Sequence, residues 1–390
     1  MKKIFVLLLI ITVSVSVFAA SEEVEVYAYL YNNAITHSGQ LVILQNMDQA
    51  RLAGAGEFYA SALRQLISGY KNIKDTTERS AAEDQAKILS KLLGAEKYSQ
   101  ASADLWLVAE GFTDPLVRAE ALIAIGKIRS ATYLPHVIRL LSNYNEKPTQ
   151  DPMEGGRIAF GAIISLEKYQ DPSGYIPVFI ASTAWYPNRI KEQAKKSMPL
   201  IAKDPTPYMT EVVKGAAYNY ERKKIALENI DSTNVSREDK ASVAVVALGE
   251  GWKSSTNVQR DRILISEMRK YAIDMINKYR TNDDSVYPLL DRSMKNGNDA
   301  SEKIKAIGAL ASQKSDEGTE VLSSYLRSLN NRQQSGGLTR DELNIVKAII
   351  PALGHTENSK AREPLNQVTV INYTKEVKKL ADNALKQIPN

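Results

Sequence analysis

Along most of this chain apolar residues recur at i, i+3, i+4 and i+7, the period of an α-helix with one buried stripe. Val117, Ala121, Ala124, Ile125 and Ile128 share such a stripe, while Arg118, Glu120 and Lys127 fall off it. The one stretch alternating with a period of two is Glu25-Val26-Tyr27-Ala28-Tyr29. Asp-Pro pairs punctuate the pattern at Asp114-Pro115, Asp151-Pro152, Asp171-Pro172 and Asp204-Pro205. A carboxylate there accepts the first free N–H groups of a helix, and proline fits the first turn because it has no N–H to satisfy. These pairs mark helix starts.

A second kind of helix lies between the first. Leu134-Pro135-His136-Val137-Ile138-Arg139-Leu140-Leu141 begins near a proline, as do Tyr175-Ile176-Pro177 and Arg362-Glu363-Pro364. Gly126 closes the helix before Pro135, and Gly354 stands in the same relation to Pro364. Taken in order, the second helix of each pair is expected to start near Thr77, Val117, Gly155, Asn188, Tyr220, Val258, Asp299, Thr339 and Tyr373. The mean step of about 37 residues is that of a two-helix repeat, and so of an all-α solenoid without a single central core. Polar linkers over residues 144–150, 231–236, 296–301 and 330–337 fall where turns are expected. Ala244-Val245-Val246-Ala247-Leu248-Gly249 fits badly. It reads as a second helix but falls on a first helix by counting, so either a repeat is irregular there or the alternation breaks.

Asp114, Val117-Arg118, Ala121, Ala124 to Gly126 and Pro135, echoed at Ala306-Ile307-Gly308-Ala309-Leu310, resemble the HEAT-repeat family, and more narrowly the short HEAT-like repeats of the bilin lyase type. The likeness covers roughly residues 57–388. It implies a right-handed α-solenoid, an α/α superhelix of about nine HEAT-like helix pairs. It also implies that a basic residue early in the second helix meets an aspartate from the preceding turn, which Asp114 with Arg118 would supply. Activity is not implied, since such folds serve many roles. HEAT-like metal hydroxylases hold two irons with repeated His-Glu pairs, and none of His37, His136 and His355 is followed by Glu.

The ends divide the chain further. Lys2 and Lys3 precede an apolar run from Ile4 to Phe18, followed by Ala19 and Ala20. That order is the order of a secretory signal, and the run is shorter than the roughly 20 residues a spanning helix needs. The expectation is a signal peptide over 1–19, a capping segment over 20–56 and a repeat solenoid over 57–390, with an uncleaved anchor as the alternative. Without Cys there is no disulfide, zinc thiolate or Cys nucleophile. The formal charge is +5, and loss of Lys2 and Lys3 leaves 48 Lys+Arg against 45 Asp+Glu, or +3. Such a balance offers no basic field for nucleic acid.

Local motifs for chemistry are missing. Gly54-Ala55-Gly56, Gly155-Gly156 and Gly336-Gly337 lack the Lys-Ser/Thr of a phosphate loop and read as helix breaks. Tyr27, Tyr29 and Tyr31 suit a capping helix or an edge strand, capping being expected because a terminal repeat must cover its neighbour's core. Trp106, Trp185 and Trp252 are expected to pack between repeats. A basic residue recurs early in the second helices, at Arg118, Arg157, Lys191, Lys223, Arg260, Lys303, Lys347 and Lys378. The expectation is therefore a non-catalytic, exported, periplasmic scaffold with no cofactor and no metal. It would hold a protein or peptide of the cell envelope on the concave face, through Arg157, Lys191, Tyr218, Tyr220 and Lys223. No nucleic acid and no stable membrane insertion after signal cleavage are expected. A structural spacer is the alternative, and an enzyme built on the repeats a third reading.

Overall fold

The computed structural model describes residues 22–389, and every regular element among them is a helix. The expected signal peptide lies outside the described residues. Packing divides the chain into two compact units, with the boundary in sequence between Lys203 and Asp204. The repeat pattern carries no sign of this division, because the Asp204-Pro205 pair there reads like any other helix start.

The first unit holds α1 (22–33), α2 (His37–Ala50), α3 (Gly56–Tyr70), α4 (Thr76–Glu96), α5 (Ser102–Gly111), α6 (Pro115–Ile128), α7 (Leu134–Glu146), α8 (Pro152–Tyr169), α9 (Tyr175–Thr183) and α10 (Asn188–Ile201). From α3 onward each odd helix packs on the even helix that follows it. Even helices also stack on one another, α2 on α4, α4 on α6, α6 on α8 and α8 on α10. The second unit repeats the scheme with α11 (Thr206–Lys214), α12 (Tyr220–Ser232), α13 (Arg237–Lys253), α14 (Gln259–Tyr279), α15 (Val286–Asn296), α16 (Ala300–Ser312), α17 (Asp316–Ser335), α18 (Arg340–Thr356), α19 (Arg362–Val370) and α20 (Lys375–Leu385). There α12, α14, α16, α18 and α20 form the even rank, and α11 to α19 the odd rank. The fold is an all-α solenoid.

All nine expected second helices are present, each beginning within about three residues of its expected start. The Asp-Pro pairs act as anticipated. Asp114, Asp151, Asp171 and Asp204 each accept the N–H two residues on, at 2.6, 2.8, 2.9 and 2.9 Å. The misfit at Ala244 resolves in favour of counting. That run lies in α13, an odd helix, and its apolar residues extend round the helix because α11, α12, α14 and α15 all pack on it.

Small residues let the even helices of the first unit approach closely. A Cβ on Gly161 would sit 2.5 Å from the Ala119 Cα, and one on Gly126 would sit 2.5 Å from the Ser165 Cα. The echo of Gly126 at Gly354 has the same cause, since a Cβ there would lie 2.9 Å from the Ala384 Cα. Gly155 and Gly156 correct the reading of glycine pairs as breaks, because both lie inside α8. The N-terminal tyrosines are helical, so Tyr27 and Tyr31 share a face one turn apart. Tyr31 is buried, its ring edge-on to Phe58 at 5.4 Å and its hydroxyl donating to Gln85 Oε1 at 3.0 Å.

The tryptophans join successive repeats. Trp185 Nε1 donates to the Tyr144 carbonyl at 2.8 Å, Trp252 Nε1 to Ser293 Oγ at 2.9 Å, and Trp106 packs against Tyr133 and His136.

Candidate functional site

The first unit carries an apolar groove of about 380 Å³ across the N-terminal halves of α6, α8 and α10. Leu116 and Ala119 come from α6, Met153, Gly156 and Phe160 from α8, and Pro187 and Ile190 from the start of α10. Leu116 and Met153 each follow an Asp-Pro cap, so the capping turn sets both at the same place on successive even helices. They stay 42% and 56% exposed, although both are large apolar side chains. A Cβ on Gly156 would make ordinary contact with Pro187 Cδ at 3.7 Å and Ile190 Cγ1 at 3.8 Å, so glycine leaves that part of the groove floor unfilled.

Two exposed guanidinium groups, Arg157 and Arg189, complete the lining. Neither makes a hydrogen bond or ion pair, and Arg189 only lies over the Phe160 ring at 5.9 Å. No residue of the lining is a nucleophile or a general base. The arrangement can strip water from an apolar group while two cations stand ready for a carboxylate beside it.

A second concavity, of about 520 Å³, lies in the second unit, where the loop from α11 to α12 faces the end of α13 and the start of α14. Tyr218, Tyr220 and Lys223 line it with Glu250, Lys253 and Asp261. Lys223 is 5% exposed. Its ammonium forms no hydrogen bond or ion pair and lies 5.9 Å from the Tyr220 ring. Burial pushes its pKa down, opposed in part by the charge of Glu250. Glu250 is itself paired with Lys253 at 2.9 Å. Burial likewise pushes the Tyr218 hydroxyl up.

The five residues expected on one surface thus fall into separate sets. Arg157 lines the first groove, and Lys191 lies next to Ile190 on α10 but outside that lining. Tyr218, Tyr220 and Lys223 come together in the second unit. Arg189 escaped the sequence argument because it stands two residues ahead of the recurring basic position that Lys191 occupies.

The expected pairing of Asp114 with Arg118 is corrected. Asp114 caps α6, while Arg118 Nε donates to the Ala109 carbonyl at 2.7 Å, near the C-terminal end of α5. One helical turn separates the two residues, and the end of α5 offers the guanidinium an unpaired carbonyl instead. The other early cations do not form a uniform ladder. Arg260 bridges to Glu221 at 3.4 Å and Lys347 to Glu376 at 3.1 Å, both on adjacent even helices.

The most enclosed ion pair was not anticipated. Arg269 of α14 meets Glu302 of α16 through Nε–Oε1 at 2.7 Å and Nη2–Oε2 at 3.0 Å. The Arg269 guanidinium also lies 4.1 Å from the Trp252 ring centre, and its stem crosses Gly251, where a Cβ would come within 2.5 Å of Arg269 Cγ. Among the described residues no group of three or more His, Cys, Asp or Glu could hold a metal ion. No helix among them is long and apolar enough to cross a membrane.

No family model matches this chain, and no curated protein matches it. The fold and the groove define a class, an all-α solenoid whose first unit carries an apolar, arginine-edged groove across α6, α8 and α10.

Proposed function

We propose that the protein is a non-catalytic binding scaffold, built of HEAT-like helix pairs, that docks a short segment of a partner protein in the groove across α6, α8 and α10. The occupant is an extended or helical peptide with a large apolar side chain next to Asp or Glu. One observation carries this reading: exposed Leu116 and Met153 share the groove with two unpaired guanidinium groups, Arg157 and Arg189. Burying the apolar anchor supplies affinity, and the arginines select a carboxylate neighbour. Lys2, Lys3 and the apolar run after them support export, and with it a partner that belongs to the cell envelope.

Selection from a displayed random-peptide library tests it. The expected outcome is enrichment of an apolar-acidic motif, with Arg157→Ala/Arg189→Ala weakening the selected peptides by about tenfold or more, as loss of two charge-assisted contacts would. Peptides that bind the double variant unchanged, or that show no acidic preference, overturn the reading. Export is checked separately, by the N-terminus of protein recovered from its cell, expected at Ala20 or Ser21.

A further inference from the structure

The concavity lined by Tyr218, Tyr220 and Lys223 in the second unit has a composition the peptide-docking role does not use. Lys223 is a buried cation without a partner, and Asp261 at the opposite helix start is a carboxylate that also makes no hydrogen bond or ion pair. The two line one concavity and do not pair with each other. Glu250, the other acid, is committed to Lys253 at 2.9 Å. Desolvating an ammonium without giving it a hydrogen-bond acceptor is costly, so a chain retains such a group where a ligand supplies the acceptor. Burial lowers the pKa of Lys223, as expected of an ammonium in want of a counter-charge.

The volume of about 520 Å³ is within the range for small-molecule sites. Tyr218 and Tyr220 add aromatic surface to it. Tyr218 is held by the chain itself, since a Cβ on Gly215 would come within 2.7 Å of its ring, and only glycine leaves that space. Lys214 of the same lining is exposed to solvent, whereas Lys223 is buried and Asp261 half-buried, so a ligand that satisfies the two shielded charges together must carry both signs.

We propose that this pocket binds a free amino acid, its carboxylate on the Lys223 ammonium, its ammonium on the Asp261 carboxylate and its side chain against Tyr218 and Tyr220. No bond is made or broken. The site is independent of the peptide groove, and either could fail without the other.

Titration calorimetry of the whole protein with each of the common L-amino acids, up to about 10 mM so that millimolar affinities register, is the test. The expected result is saturable binding of at least one of them. The matching acid without the amine, and the matching amine without the carboxylate, should each bind about tenfold weaker or worse. Lys223→Met keeps length and apolar stem, so it should keep the helical circular dichroism spectrum and lose binding. Asp261→Asn, at a half-buried position, serves as the second variant and should also weaken binding about tenfold. Absence of binding by every amino acid overturns the proposal. So does full affinity in either variant, or equal affinity for the deaminated acid.

Discussion

Arg269 and Glu302 form a two-pronged ion pair between α14 and α16, with side chains only 5% and 0% exposed. The carboxylate is further held by Ser266 Oγ at 3.3 Å and by the Asn298 N–H at 3.1 Å, so its oxygens are well supplied. Such a pair stabilises little relative to an apolar one, but breaking it leaves a charge buried alone.

Glu302→Ala should therefore cost about 3–5 kcal/mol. Arg269→Met combined with Glu302→Leu should cost far less than that single change, since no lone charge remains. Because repeats couple mainly to their neighbours, lost protection in hydrogen exchange should centre on α14 to α16. Denaturant midpoints and exchange maps of the two variants check both statements. A double variant worse than Glu302→Ala would contradict the account.

Asp231, at the end of α12, makes the stability of the second unit depend on acid. Burial works to raise its pKa, but hydrogen bonds from Tyr279, Lys278 and Tyr271 outweigh it, and the net shift is downward. Lys278 and Tyr271 each lie 3.1 Å from its carboxylate. With the folded pKa below the unfolded value of about 3.9, the contribution is fully present above that value. It is lost as pH falls through the folded pKa. Asp231→Asn should thus lose stability at neutral pH, and the gap to the parent chain should narrow as the pH falls below the unfolded value of about 3.9. Thermal midpoints across that range decide it, and a gap that stays constant argues against the shift.

Asp114 and Arg118 do separate jobs, one capping α6 and the other holding the Ala109 carbonyl. Asp114→Ala should cost about 1 kcal/mol for the lost cap. Arg118→Ala should cost about 1.5–3 kcal/mol for a lost charged hydrogen bond. If the two roles are independent, the double variant should equal their sum within about 0.5 kcal/mol. A larger coupling energy in the double-mutant cycle would restore the aspartate–arginine ladder that the HEAT resemblance implies.

Element starts were legible because they rest on neighbours in sequence. Asp114, Asp151, Asp171 and Asp204 cap through N–H groups two residues away, so a dipeptide is enough to find them. The groove is different. Leu116, Met153 and Pro187 come from three successive even helices, and nothing local says that they converge. A signal was present in Asp-Pro-Leu and Asp-Pro-Met, where an apolar residue occupies an exposed place in the first turn of two consecutive repeats. Arg269 and Glu302 were hidden for a related reason. Each looks like a surface residue of a polar helix, and only the missing side chain at Gly251 lets Arg269 lie across the repeat boundary.

Glycine at two helical positions should respond to the same substitution with opposite sign. Gly161 faces the backbone of Ala119 in the seam of α6 and α8, with an added Cβ at 2.5 Å from Cα and 2.7 Å from the carbonyl oxygen. Backbone cannot swing away as a side-chain end can, so Gly161→Ala must push the helices apart, at a cost of about 1–3 kcal/mol. Ala119 also lines the peptide groove, so the widened seam should weaken any ligand bound there. Gly308, inside α16, leaves open space where an alanine Cβ would lie, with nothing within 4 Å of it. Alanine there removes backbone freedom from the unfolded chain without a clash, a gain of about 0.5–1 kcal/mol. Urea unfolding of the two variants beside the parent chain reads both shifts. Gly161→Ala should fall below it and Gly308→Ala rise above it, and a Gly161→Ala chain as stable as the parent would mean the even helices are not in close contact at that seam.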